Sequence, residues 1–219
     1  MSTVHSVRCS TCGKELTAAR GLCASCLLRT ALSLEDGTAG YRILTVIGGD
    51  ADAVTYLAEP VSGSERFVAL KVIGPRRDVD EVLARYARWR PAFDALRHPA
   101  IRRVLGMGRV DASHCYVASE YVAGQSLSPL ASHARLTRTE GEHVLTEIRS
   151  ALDRAHAAGI FHLNLTASRV RVRTAGATAV KILGFDTRTV VDGAVGRSED
   201  DLAAFERLAT DLHTLTSSS

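Results

Sequence analysis

The sequence predicts an α+β protein in which a cysteine-rich segment precedes a β-rich region and then a helix-rich region. Two CxxC pairs lie within residues 1–33. Segments 41–47, 53–58 and 67–73 are rich in Val, Ile and Tyr and are separated by turn-forming clusters, as strands are. Across 144–155, apolar residues recur at three- and four-residue steps, which is the spacing of an amphipathic helix.

Length, composition and charge indicate a soluble globular protein. The chain has 219 residues, of which 46% are hydrophobic and 23% are charged, and this suffices for one or two domains with a core. The net charge of +3 is too small to indicate nucleic-acid binding by itself. The N-terminus lacks the apolar core of a signal peptide, and no apolar run reaches membrane-spanning length. The prediction is a cytoplasmic protein without a membrane partner.

The two CxxC pairs predict a structural zinc site. Two residues between cysteines let both sulfurs face one metal, and two pairs complete a tetrahedral site with no open position. The ligands would be Cys9, Cys12, Cys23 and Cys26. A redox dithiol or disulfides are alternatives, but a redox CxxC needs a strand-helix context and cytosolic chains rarely hold disulfides. We therefore predict a zinc ribbon at 1–33, followed by a polar, glycine-containing linker at 34–40.

The predicted ribbon has few features of a nucleic-acid-binding surface. Its basic residues are few, and no aromatic residue precedes Tyr41 to stack on a base. A nucleic-acid partner is therefore disfavoured, and a docking or folding role is favoured. The basic residues are Arg8, Lys14, Arg20 and Arg29.

Residues 41–215 resemble the bacterial eukaryotic-like serine/threonine protein kinases. A helix that ends at Gly159, the loop HLNLTASR at 162–169 and an alternating Arg-Val strand have the layout of the kinase catalytic loop. The strand FVALKVI at 67–73 matches the third strand of that family, and the ribbon resembles ribbons that precede such domains. The resemblance implies an antiparallel β N-lobe with its hinge at 41–124 and a shortened helical C-lobe at 125–219.

The phosphate-binding elements implied by the resemblance are incomplete. Lys71 stands where family members hold the α- and β-phosphates of ATP. Of the glycines in the phosphate loop only Gly48 is retained, and Asp50 would repel phosphate. The helix glutamate that pairs with the lysine falls at Trp89, and Pro91 is expected to break that helix. ATP with magnesium is therefore disfavoured as a cofactor.

The catalytic-loop positions also depart from the family pattern. The resemblance places Asn164 at the catalytic carboxylate, Thr166 at the assisting lysine, Arg169 at the magnesium-binding asparagine and Gly184 at the magnesium-binding aspartate. An amide has no proton-accepting chemistry near neutral pH, and a cation repels a metal ion. The sequence thus predicts that the chain is not an enzyme but a catalytically inactive pseudokinase.

By contrast, the column of packed residues that links the lobes of an assembled kinase is present. The matching positions are Phe93, Val104, His162 and Phe185, with Asp201 as the anchor on a later helix. Retained packing predicts a regulatory or scaffold module that binds a protein partner or forms a homo-oligomer through the shortened C-lobe. Two alternatives are an atypical ATP-binding protein or weak serine/threonine phosphotransferase, and a zinc-ribbon nucleic-acid adaptor.

Overall fold

The fold consists of a strand-rich unit and a helix-rich unit. The computed structural model describes residues 40–49, 53–62, 65–128, 136–174, 178–185 and 187–216. The strand-rich unit contains the described residues up to Leu83 and those of Leu105–Tyr121; the helix-rich unit contains Ala84–Val104 and the described residues from Val122 onward. The predicted ribbon at 1–33, with its four cysteines, lies outside the described residues, as does the predicted linker except for Gly40.

The strand-rich unit is built on a five-stranded sheet with the order β1-β2-β3-β5-β4. Strand β1 pairs antiparallel with β2, β2 with β3, and β3 with β5. The sequence prediction of an antiparallel β N-lobe is confirmed. The strands are β1 Tyr41–Gly49, β2 Ala53–Pro60, β3 Val68–Ile73, β4 Val104–Arg109 and β5 Cys115–Glu120.

One face of this sheet carries the apolar core of the unit. The register places Tyr56 opposite Leu70 and Leu70 opposite Ala118, and all three are buried. Alternate residues of a strand share a face, so Val68 and Val72 extend the same core. Lys71 therefore points to the other face of β3.

Helix α1, Val79–Ala95, runs without a break through Pro91, so the expectation that this proline would interrupt the helix is wrong. Proline lacks the N–H that would bond the carbonyl of Ala87, and its ring crowds that carbonyl. Both Pro91 and Ala87 are exposed, so water can bond that carbonyl and the helix persists.

The helix-rich unit contains α2 (Arg138–Ala157), α3 (Ser198–Thr216) and a three-stranded sheet with the order β6-β7-β8. Thr137 and Glu140 form a reciprocal capping box at the start of α2. The strands are β6 Gln125–Ser126, β7 Val170–Arg173 and β8 Ala179–Ile182. None of the helices in the described ranges has the length and apolar character needed to cross a membrane.

The apolar stripe predicted for α2 is its buried face. It comprises Val144, Leu145, Ile148, Leu152 and Ala155. Beyond the helix, Gly159 has φ +71°, a left-handed conformation that glycine adopts without a steric penalty. This turn directs the chain into the loop at 162–169.

Candidate functional site

The loop at 162–169 is held in place by a buried carboxylate from α3. Asp201 is fully buried in the first turn of that helix. Its Oδ1 accepts from the Leu163 N–H at 2.7 Å, and its Oδ2 accepts from the His162 N–H at 2.7 Å. Oδ2 also accepts from Nε2 of His156, near the end of α2, at 2.9 Å. Three donors satisfy the buried carboxylate and join the loop to both helices.

This carboxylate supports an unusual backbone conformation in the loop. Leu163 has φ +57°, which is disfavoured for a residue with a side chain. Its N–H is one of the two loop amides that Asp201 fixes. Its side chain packs on Gly196, where an added Cβ would lie 2.2 Å from the Leu163 Cδ2. The surrounding structure therefore specifies the left-handed turn at Leu163.

His162 links the loop to the segment that follows β8. Its imidazole is fully buried, donates from Nε2 to the Leu183 carbonyl at 2.9 Å and accepts the Asn164 N–H at Nδ1 at 3.2 Å. These bonds fit the neutral ring with its proton on Nε2. The edge of one ring meets the face of the other in the contact with Phe185, at 4.8 Å between centroids. The structure thus brings together His162, Phe185 and Asp201, as the sequence predicts.

The four positions that the sequence resemblance aligns with catalytic residues cluster around this loop. Asn164 and Thr166 are exposed, and the Thr166 hydroxyl lies 2.9 Å from that of Ser168. Arg169 ends a short 3₁₀ turn, and its carbonyl accepts from the Leu183 N–H at 2.8 Å. That bond places Gly184, which is buried and has φ +95°, beside the loop. These positions carry the amide of Asn164, the hydroxyl of Thr166, the guanidinium of Arg169 and, at Gly184, no side chain.

The two predicted phosphate-binding residues lie in the strand-rich unit, in one row across its sheet. Thr55 on β2 pairs with Gly48 on one side and with Lys71 on the other. Lys71 is partly buried on β3, and Gly48 is exposed near the end of β1. Asp50 in the adjoining loop lies outside the described residues, and so does Asp186 beyond Phe185.

Sequence reasoning missed one arginine that fixes the chain after Phe185. Arg85 of α1 donates from Nε to the Val190 carbonyl at 2.8 Å and from Nη2 to the Val191 carbonyl at 3.1 Å. These carbonyls belong to a π-helical turn, Thr187–Val191. The two partners are more than a hundred residues apart in sequence. No motif in the sequence marks Arg85 as the partner of this turn.

Replacing the buried carboxylate tests its role in holding the loop. In Asp201→Asn the amide keeps one acceptor oxygen but turns an NH₂ group toward an N–H donor, which leaves a buried donor unsatisfied at a cost of about 1–3 kcal/mol. We expect the melting temperature to fall by about 2–4 °C for each kcal/mol in a chain of this size. Circular dichroism measures it.

The matched control is Asp211→Asn, the same change at an exposed position of α3. A surface change of this kind is expected to alter stability by less than about 0.5 kcal/mol. Equal shifts for the two variants would contradict a structural role for Asp201.

The sequence of the chain is similar to those of bacterial serine/threonine-protein kinases. No family model matches the chain. The serine/threonine-protein kinase pkn3 of Myxococcus xanthus is 31% identical over 171 residues, which are 76% of this chain and 30% of that protein. PrkC of Bacillus subtilis, also a serine/threonine-protein kinase, is 30% identical over 151 residues, 67% of this chain and 23% of that protein. The chain spans less than a third of the length of these relatives.

Solved structures give the same result for the fold. The kinase domain of PknI from Mycobacterium tuberculosis aligns with a TM-score of 0.65 and 25% identity, over 80% of this chain and 72% of that one. The predicted kinase-like fold is confirmed.

These relatives correct one prediction made from the sequence. The replaced positions in the loop led to the expectation that the chain is not an enzyme. The relatives with which it aligns are named as serine/threonine-protein kinases, which are enzymes, so that expectation is wrong. With this fold and these relatives, the chain is a protein-kinase-like module whose homologues are bacterial serine/threonine-protein kinases.

Proposed function

We propose that this protein-kinase-like module acts as a regulatory or scaffold element by binding another protein. The supporting observation is the contrast within the loop at 162–169. Its backbone is fixed by Asp201 and His162, whereas the side chains at the phosphoryl-transfer positions are replaced. A loop whose backbone is held in place while its side chains depart from the family's chemistry is consistent with a binding role.

The chemistry of the replaced positions supports this proposal. The Asn164 amide has no proton-accepting ability near neutral pH, and Gly184 offers no oxygen ligand from a side chain. Arg169 places a cation where family members bind magnesium, and like charges repel. Phosphoryl transfer depends on stabilisation by metal ions and by fixed charges. The proposed role is protein binding, which needs neither.

A groove in the helix-rich unit offers a surface for a partner. Within the described ranges, a cavity of about 550 Å³ lies between the loop residues Leu165–Ala167 and α3. Leu127, Leu208 and Leu212 line its apolar part, and Arg207 and Asp211 flank it with opposite charges. An apolar floor with charged edges is typical of a protein-binding surface.

A complex that does not depend on nucleotide tests the proposed role. The tagged chain, cross-linked in cells that carry it naturally, is expected to capture a stoichiometric protein partner. Because binding is attributed to shape, the purified complex should persist in EDTA and with Lys71→Ala. Arg77→Ala, which removes one exposed positive charge outside the strands, is the control. A complex that forms only with ATP and an intact Lys71, or no complex, would contradict the proposal.

A second candidate is an atypical ATP-binding protein or serine/threonine phosphotransferase. It is favoured by the kinase names of the relatives and by Lys71, which lies on β3 in a row with Gly48. Saturation of a nucleotide site at a hundredfold over its dissociation constant adds about 2.7 kcal/mol of stability. A melting shift with ATP that is lost in Lys71→Ala would support this candidate, and no shift at millimolar ATP would exclude such a site.

We further propose that the cysteine pairs bind one structural zinc ion. Four thiolates are a donor set that suits tetrahedral zinc and leaves no coordination position for chemistry. The expected content is one zinc per chain, lost when Cys9 and Cys12 are changed to Ser and kept when the buried Cys115 is changed to Ser. Elemental analysis measures it. The site would be contradicted if the native protein contained no zinc, or if the Cys9/Cys12 variant and the Cys115 variant contained the same amount of zinc.

A further inference from the structure

Strand β7 presents a row of cations on one face of its sheet. Val170 and Val172 are buried, so Arg171 and Arg173, which alternate with them, face the opposite way. Arg169 stands two residues before Arg171 in the sequence, ends the 3₁₀ turn that leads into the strand, and is partly exposed. We call Arg169, Arg171 and Arg173 the arginine row. Alternate residues of a strand repeat at about 6.6 Å, which sets the expected spacing of Arg171 and Arg173.

The neighbouring strands add positive charge to this face. Lys181 of β8 lies directly opposite Arg171, and Ser126 of β6 lies opposite it on the other side. Strands β6, β7 and β8 contain no aspartate or glutamate. Like charges that face each other across a strand pair are destabilising, so this arrangement has a cost in folding free energy.

The arginine row differs from other arginines of the chain in its ion pairs with carboxylates. Arg76, Arg138 and Arg149 each pair with a carboxylate close in sequence, at 2.8–3.0 Å. In the described part of the chain, the row forms no ion pair, and its one side-chain bond runs from Arg171 Nη1 to the Gly124 carbonyl at 3.4 Å. With respect to the described residues, the charges of the row are not matched by carboxylates.

We propose that the arginine row docks an extended acidic segment of a protein partner, an inference that rests on the protein-binding function proposed above. In an extended peptide, side chains on one face repeat at the same interval as the arginines, so alternate carboxylates can each meet a guanidinium. The three strands lack aromatic residues on which the bases of a nucleic acid could stack, which favours a peptide ligand.

The test uses the full chain and a defined probe. The probe is a fluorescein-labelled octapeptide of alternating Glu and Thr, with Gln in place of Glu as its control, and binding is followed by fluorescence anisotropy. The row is changed to Gln in the triple variant R169Q/R171Q/R173Q. The matched control, R138Q/R149Q/R154Q, removes the same charge from the exposed side of α2.

We expect the row variant to bind the acidic peptide at least about tenfold more weakly than the native chain, which corresponds to about 1.4 kcal/mol. The control triple should bind as the native chain does. Affinity should fall when salt rises from about 50 to about 300 mM, because screening weakens exposed charge pairs. The single variant Arg173→Gln, at the most exposed position, should lose about threefold without disturbing packing.

Three results would overturn the inference: no binding of the acidic peptide by the native chain, equal loss in both triple variants, or tighter binding of an oligothymidylate than of the peptide. The last would indicate a nucleic-acid surface instead. The partner complex separates this inference from the proposed function. If that complex forms and the row variant leaves it intact, the docking role of the row fails while the protein-binding function stands.

Discussion

The arrangement of the helix-rich unit depends on the buried carboxylate of Asp201. A carboxylate without solvent is costly unless its oxygens accept hydrogen bonds, and here the two loop N–H groups and the imidazole of His156 donate to both oxygens. One side chain thereby fixes the start of α3, the end of α2 and the loop between them. The left-handed turn at Leu163 follows from this constraint, and so does the position of His162, whose ring reaches Leu183 and Phe185.

This constraint acts on the backbone and not on the side chains that line the loop. The bonds of Asp201 go to main-chain N–H groups, so the residues at 164, 166 and 169 can change without loss of the loop shape. That separation is consistent with a chain that shares the fold of its kinase relatives and carries Asn164, Thr166 and Arg169 at the positions that the sequence resemblance aligns with reacting groups. The arginine row, to which we assign a docking role, adjoins this loop.

Much of the fold could be predicted because its elements have short-range signals. Alternating Val and Ile mark the strands, the three- and four-residue apolar spacing marks α2, and a kinase-like motif order predicts that His162, Phe185 and Asp201 meet. Long-range contacts carry no such signal, so the bonds of Arg85 to the turn after Phe185 were missed. Pro91 was misjudged because local propensity ignores whether solvent can bond the freed carbonyl. The family pattern likewise could not decide enzymatic status from replaced residues alone.

Native-state hydrogen exchange of the two loop amides tests the central claim most directly. If Asp201 fixes the loop, the N–H groups of His162 and Leu163 should exchange as slowly as that of Ile148 in the buried face of α2, because each opens only when the unit unfolds. Rapid exchange at both loop amides while Ile148 stays protected would show that the carboxylate does not hold the loop, and would contradict the account.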